Sequence, residues 1–382
     1  GWVEYMPLRV AYATTVHKCV AGETRIPVVG RGYLPIADLS PYDMTPYGQV
    51  QAVARTEQQA WRITTARGYS VVCSAEHRWR TREYPLVETQ DLTPNDDLLL
   101  HSGVPFPGRP EVAENTLWWL GLTVGDGCYT DRKEGQIHLA CMDRELGDRY
   151  KEIGEVAFSI AIAWRKDRRG LYLTSKGTRD KLAGWGLDYV KGPHKRVPRC
   201  VWTEGPQGRG AFLRGLFDAD GYIGRNRVVL TTASEKMSED VQELFLTLGI
   251  ISTRRHFPNY WQVYVGAESL DIFAYWVGFW KADKALQMTR ARPNRVLRPS
   301  LGYDRVVSVV PLGITVPMYD VEITAPHLLP FGPFLGHNSQ GLSLDAVQIN
   351  IGDPFFKTPG MIYVALSRCR TVEGLRIVGT TA

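Results

Sequence analysis

Reactive groups stand near the two ends of a long interval, in an order that chemistry can use. Cys19 supplies a thiol, the side chain whose thiolate is most accessible near neutral pH, directly after the Lys18 carbonyl. Attack there would exchange the Lys18–Cys19 amide for a thioester. Far downstream stand His337, Asn338 and Ser339 in sequence. The Ser339 hydroxyl could take the acyl group from Cys19, giving a branched ester. The Asn338 side-chain nitrogen could close on its own carbonyl and release the chain beyond it. His337, with an ordinary pKa near ~6.5, is a candidate acid or base beside it. Excising a segment without a protease needs a nucleophile at its first residue, a cleaving group at its last and a nucleophile just after. Each is present.

The sequence outside this interval completes itself when the interval is removed. Lifting out Cys19 through Asn338 joins Thr14-Thr15-Val16-His17-Lys18 to Ser339-Gln340-Gly341-Leu342-Ser343. The joined string resembles a nucleotide-handling motif of superfamily 1 helicases. With Tyr363-Val364-Ala365-Leu366-Ser367-Arg368, the flanks resemble the last two motifs of a RecD-like helicase. That resemblance implies that Arg368 contacts a nucleotide γ-phosphate. The phosphate loop GxxxxGK[ST] is missing, so these flanks cannot hydrolyse ATP alone.

The interval itself resembles an intein. Cys19-Val20-Ala21-Gly22-Glu23-Thr24 is similar to the family's opening block, and Ser74-Ala75-Glu76-His77 stands where the family has Thr-x-x-His. Tyr319-Asp320-Val321-Glu322-Ile323, with His327 seven residues past the aspartate, is similar to the block before the end. The resemblance implies roles in splicing for Cys19, Ser74, His77, Asp320, His327, His337, Asn338 and Ser339. In it, His77 hydrogen-bonds the amide nitrogen of the Lys18–Cys19 bond and helps it leave. Splicing needs no cofactor.

A second chemistry lies within. Leu213-Arg214-Gly215-Leu216-Phe217-Asp218-Ala219-Asp220-Gly221 closely resembles the repeat of LAGLIDADG homing endonucleases, and Trp119-Leu120-Gly121-Leu122-Thr123-Val124-Gly125-Asp126-Gly127 is a looser match that lacks the earlier aspartate. Small residues such as Gly121 and Gly215 let two helices approach closely, and the glycine after each aspartate is expected to end its helix. Asp126 and Asp220 would then meet at two helix C-termini, where the negative dipole ends favour a divalent cation. Mg²⁺ held by these carboxylates suits phosphodiester hydrolysis on two strands. Family resemblance implies that Lys195 and Lys284, each following one repeat, polarise water or phosphate, with Lys281 three residues from the second. Arg165, Lys166, Arg168, Arg169, Arg254 and Arg255 are candidate DNA contacts.

Elements must position these groups. With 382 residues, two or three domains are expected. Hydrophobic residues are 44% and charged residues 22%, which excludes a disordered chain. The six cysteines form no CxxC pair, which argues against a zinc site or a disulfide framework. Net charge is +5, which permits nucleic-acid binding without establishing it. No signal segment and no long apolar run is found, so no membrane partner and a cytoplasmic location are expected.

From Cys19 to about Leu100, short β-type runs such as Gln49 to Ala54 and Trp61 to Thr65 favour an all-β unit. After a Pro/Gly linker, amphipathic helices and strands occur twice in the same order, which predicts a pseudo-two-fold pair. Strand character returns in Tyr303 to Val310 and Tyr319 to Ile323. The expected organisation is an N-terminal helicase flank (1–18), a splicing domain in two parts (19–105 and 296–338), an endonuclease domain between them (106–295) and a C-terminal helicase flank (339–382). In fold class this is an all-β, Hint-type horseshoe interrupted by an α/β pseudo-two-fold domain, with short α/β flanks. The expected chain is monomeric, splices its own flanks and cleaves double-stranded DNA of the intein-free host gene. Two rivals stand beside this: an endonuclease with inactive or conditional splicing, and a helicase fragment with a structural insertion.

Overall fold

The computed structural model describes residues 18–84, 86–101, 108–128, 136–291, 302–324, 328–337, 347–350 and 375–379. The chain divides into two compact units, Gly1–Asn338 and Ser339–Ala382. In the second, strand Val347–Asn350 pairs in parallel with Leu375–Val378. Leu8 to Ala13, an apolar run that reads as a strand, and Met361 to Arg368 lie outside the described residues.

Within the first unit, residues on both sides of the insertion build a β part. Its main sheet runs in the order Met44–Thr45, Gly48–Thr65, Ser70–Cys73, Val20–Ala21, Tyr303–Ile323, Asp97–Leu99, and the two long strands also pair with each other. The separate short runs expected at both places are in fact one strand of 18 residues and one of 21. Between Arg55 and Ala60 the sequence is polar, yet Arg55, Glu57 and Gln59 face solvent while Ala60 is buried. That is the period of two a half-exposed strand requires. Pro311, which cannot donate to the ladder, sits where the register shifts between Pro311 and Thr315. Ile26, Ile63, Val71, Trp79, Val321, Phe331 and Phe334 form the core.

A smaller sheet, ordered Leu328–Phe331, Phe334–His337, Arg78–Trp79, Val87–Glu88, sets His337 opposite Arg78. This is how the end of the interval comes beside His77.

The α/β part is duplicated. Helix Glu114–Asp126 is followed by a sheet ordered Gly127–Cys128, Gln136–Ala140, Gly170–Thr174, Ala163–Trp164; helix Pro206–Asp220 by one ordered Gly221–Gly224, Arg227–Thr232, Tyr260–Val265, Ser252–Phe257. A helix follows the second strand in each half, Arg144–Phe158 capped by Asp143 and Glu235–Leu246 capped by Ser234. The edge strands Ala163–Trp164 and Ser252–Phe257 escape a reading by apolar run because they are short or interrupted by Arg254, Arg255 and His256.

Helix Glu114–Asp126 is apolar on all sides, as a helix buried against others must be. Its contact with Pro206–Asp220 depends on two glycines. A Cβ at Gly121 would collide with the Phe212 carbonyl, and one at Gly215 with the Trp118 carbonyl. Gly127 and Gly221 end their helices in extended conformation, at φ −79° and −81°. They are needed for space, since a Cβ at either would meet the backbone four residues earlier.

Candidate functional site: a buried thiol centre and a paired-carboxylate centre

The first centre surrounds the Lys18–Cys19 peptide bond. Cys19 is fully buried. Its N–H donates to Ser74 Oγ at 3.2 Å, and the Ser74 N–H donates to the Cys19 carbonyl at 2.9 Å. This double clasp fixes the backbone just past the Lys18 carbonyl. Pairing of Val20 with Tyr319, continued by one residue, sets Cys19 against the buried Asp320. Burial, followed by the Asp320 carboxylate, pushes the Cys19 thiol up to about 12. Sγ lies 3.4 Å from Thr56 Oγ1.

His77 is fully buried, with its ring 4.3 Å from Trp79 and 4.7 Å from Phe331 between centroids. Burial pushes the imidazole down to about 3, so it is neutral. Its Nδ1 lies 2.7 Å from the Lys18 carbonyl oxygen, and a carbonyl can only accept, so Nδ1 carries the proton and donates. The sequence expectation aimed His77 at the amide nitrogen; the structure aims it at the oxygen of the same bond. Thr89 supports the loop by donating to the His77 carbonyl at 3.2 Å and accepting from Trp79 Nε1 at 3.0 Å.

His337 reaches the same place from the other end, with Lys18 Nζ 3.2 Å from its Nδ1. Cys19, Ser74, His77, Asp320 and His337 thus gather around one peptide bond. His327, Asn338 and Ser339 lie outside the described residues. Sequence reasoning missed Thr56 and Thr89, for which no motif or spacing signal exists.

The second centre lies where the duplicated helices end. A Cβ added at Gly125 would sit 3.3 Å from Asp220 Oδ2, so the two termini are in contact. Burial and then the charge of Asp220 hold Asp126 up at about 6, and burial raises Asp220. The lysines reach the same termini. Lys195 Nζ donates to the carbonyls of Val124, Gly125 and Gly127 at 2.6, 3.0 and 3.1 Å. Lys284 Nζ donates to those of Phe217 and Asp218 at 2.9 and 3.0 Å. These acceptors lie at the helix C-terminal ends, where the dipole is negative and favours a cation.

An ammonium has three N–H groups, and Lys195 directs all three to carbonyls. It thereby braces the helix end. Lys281 instead pairs with Asp143 at 3.4 Å. Ser234 helps place Lys195, donating to its carbonyl at 2.6 Å while capping the following helix. Asp218, whose counterpart in the first repeat is Val124, is buried and accepts from Trp118 Nε1 at 2.8 Å and from the Trp280 N–H at 3.1 Å.

Two desolvated carboxylates that raise each other's energy are a set that a divalent cation relieves, so Asp126 and Asp220 fit Mg²⁺. Among the described residues no cluster of three or more His, Cys, Asp or Glu could hold a metal, so water and substrate oxygens would complete the shell. A cleft of about 210 Å³ lined by Lys195, Asp220, Thr231 and Thr232 opens beside them.

The basic candidates separate. Arg165, Lys166, Arg168 and Arg169 are exposed on one turn, and Arg255 is exposed on strand Ser252–Phe257. Arg254 is not available to DNA. It is 9% exposed, donates to the Gly68 carbonyl at 3.2 and 3.1 Å, and lies over the Trp261 ring. Its side chain turns inward to join the α/β part to the β part.

That seam is extended by ion pairs. Arg25 contacts Asp240 at 3.1 Å and Glu243 at 2.8 Å and stacks on Trp202, while Arg196 contacts Asp240 at 2.9 Å and Glu23 at 3.4 Å.

Residues 208–278 match the LAGLIDADG-like domain. Among curated proteins, the chain is similar to the replication factor C small subunit of Pyrococcus horikoshii, at 26% identity over 72% of this chain and 34% of that protein. It is similar to the replicative DNA helicase DnaB of Rhodothermus marinus, at 27% over 61% and 28%, and to the ribonucleoside-diphosphate reductase NrdEB subunit alpha of Bacillus subtilis, at 22% over 59% and 22%. The chain thus spans about a third or less of these relatives. Similar solved structures include the gp41-1 intein, at 19% identity over 22% of this chain and 67% of that one with a TM-score of 0.20. Mesophilic variants of the homing endonuclease I-DmoI are similar at 14% over 42% and 89%, with a TM-score of 0.33.

Proposed function

We propose that residues 19–338 are an intein that excises itself and joins residues 1–18 to 339–382, which we assign to a RecD-like helicase, and that its inserted domain, residues 106–295, is a homing endonuclease. The observation that carries the splicing reading is the convergence on the Lys18–Cys19 bond of a neutral His77 donating to its carbonyl oxygen, the Cys19 thiol and the Ser74 clasp. The relatives agree with it. A replication factor C subunit, a helicase and a reductase subunit share only part of their length with this chain, as hosts of a common insert would.

In the first step, Cys19 Sγ bonds to the Lys18 carbonyl carbon, the C–N bond breaks, and the thiol proton passes to the departing amine. His77 Nδ1–H stabilises the oxygen while it carries negative charge. Ser339 Oγ then attacks the thioester, returning its proton to sulfur. Asn338 Nδ2 attacks its own carbonyl carbon and expels the Ser339 amine, the amide proton balancing the one the amine gains. A shift of the acyl group from oxygen to that amine restores a peptide bond.

A thiol held near 12 is ionised only to about one part in 10⁵ at pH 7. This favours slow or conditional excision over rapid excision. Mass spectrometry of the expressed chain under reducing conditions tests the reading: a ligated 62-residue product supports it, and a precursor that stays intact across pH and time overturns it.

For the endonuclease, Asp126 and Asp220 would hold Mg²⁺, which when bound supplies charge stabilisation and an activated water for phosphodiester hydrolysis. Lys195 and Lys284 each brace one of the two helix ends. The exposed Arg165–Arg169 turn and Arg255 are the proposed backbone contacts. Cleavage of double-stranded DNA carrying the uninterrupted host sequence is the test.

A further inference from the structure

The Lys18 side chain belongs, on the splicing reading, to the host and not to the excised element, yet it reaches across to the far end of that element. Its Nζ lies 3.2 Å from His337 Nδ1, while its own carbonyl is held by His77 Nδ1 at 2.7 Å. One residue therefore touches the histidines of both ends. An ammonium has no lone pair, so a charged Lys18 can only donate; His337 Nδ1 then accepts, which requires a neutral imidazole with its proton on Nε2. Protonating His337 as well would remove that acceptor and set two cations 3.2 Å apart. Arg78 beside Lys18 adds a third positive charge, and Glu88 and Asp320 are the nearby anions.

We propose that Lys18 is a positioning residue that holds His337 neutral until the upstream chain has been transferred, and so delays release of the downstream flank. The proposal rests on the splicing reading and concerns the order of its steps. Cyclisation of Asn338 forms the Nδ2–C bond and breaks the C–N bond to Ser339, and the departing amine needs a proton. A neutral imidazole is a far weaker donor than an imidazolium. Transfer of the acyl group to Ser339 moves the Lys18 carbonyl off His77, and with it the anchor that sets Nζ on His337. Cleavage at the far end then follows ligation instead of preceding it.

The test uses the full chain in two backgrounds. In Cys19→Ala the upstream segment cannot leave, so the hold on His337 is permanent. Adding Lys18→Met is expected to accelerate release of residues 339–382 by about tenfold, read by mass spectrometry, while Lys18→Arg, which keeps the cation, holds it at the Cys19→Ala rate. In a Cys19→Ala, Asn338→Ala chain that cannot cleave, ¹⁵N shifts of labelled histidine report the His337 tautomer directly. The Nε2–H form is expected with Lys18 and a mixture with Lys18→Met. Equal release rates or an unchanged tautomer overturn the proposal while leaving excision standing. A chain that releases no downstream flank in any variant, and no ligated product when unmutated, overturns both.

Discussion

The two centres store reactivity in opposite forms. Around Cys19 the nucleophile and the oxygen's donor are buried and uncharged at rest: the thiol is held near 12, the His77 imidazole near 3, and the backbone beside the reacting bond is clasped by hydrogen bonds to Ser74. Where the motif helices end, charge is gathered instead, two carboxylates against two lysines, with Asp126 lifted to about 6. On the proposed reading, the first site's substrate is its own backbone, with no binding step to wait for, and restraint comes from keeping its nucleophile protonated. A site awaiting an external polyanion and a cation can hold unbalanced charge that only the ligand relieves.

The strongest way to break this contrast is to disable each centre alone. Cys19→Ala is expected to remove the ligated product entirely while leaving DNA nicking intact, and Asp220→Asn to remove nicking of one strand while leaving ligation intact. Loss of splicing in the second variant, seen by mass spectrometry, would show that the centres are not separable. A smaller effect sharpens the role of His77. Its replacement by Ala is expected to slow thiol-induced cleavage at Cys19 by about 10²–10³, the usual cost of losing a donor to an oxyanion. Because the ring is neutral down to about pH 3, the native rate should show no inflection near ~6.5. An inflection there that persists in His337→Ala would mean that the His77 imidazolium is the working form.

Next in size, Gly215→Ala is expected to destabilise the α/β part by ~1–3 kcal/mol through the clash with the Trp118 carbonyl, lowering its melting temperature. The smallest effect is electrostatic. Between its ordinary 3.8 and about 6, Asp126 holds more proton in the folded chain than in the unfolded one, so stability falls as pH rises through that window. Mg²⁺ should therefore raise the melting temperature at pH 7.5, do so much less at pH 5, and not at all in Asp126→Asn with Asp220→Asn.

Much of what gathers at both centres was legible because chemistry dictates residue type and order: a thiol that opens a segment, and aspartates that end glycine-bearing helices. The parts that were not legible depend on the third dimension. The duplication could be read from element order, but the continuous ribbon of Gly48–Thr65 and Tyr303–Ile323 could not, since its polar middle is strand only because each half supplies the other's hydrogen bonds. Whether His77 faces nitrogen or oxygen turns on a side-chain angle that no spacing encodes. Arg254 reads as a surface cation from its Arg-Arg-His context, but the Gly68 carbonyl and Trp261 ring draw it inward.

The seam between the two parts bears on how such a protein can change over time. Tyr33, from the β part, packs in the α/β core, whereas Leu246 and Ile251, from the α/β part, pack in the β core. Tyr69 accepts from the Ser252 N–H, and Arg25 has Asp240, Glu243 and Trp202 as partners. An inserted domain joined this closely cannot be discarded in one deletion without baring apolar surface on the remaining part. Loss of the proposed endonuclease activity by point substitution at Asp126 or Asp220 would leave that surface covered. Inactive but intact descendants are therefore the accessible outcome, and a shortened splicing unit would first need polar replacements at Tyr33 and Tyr69.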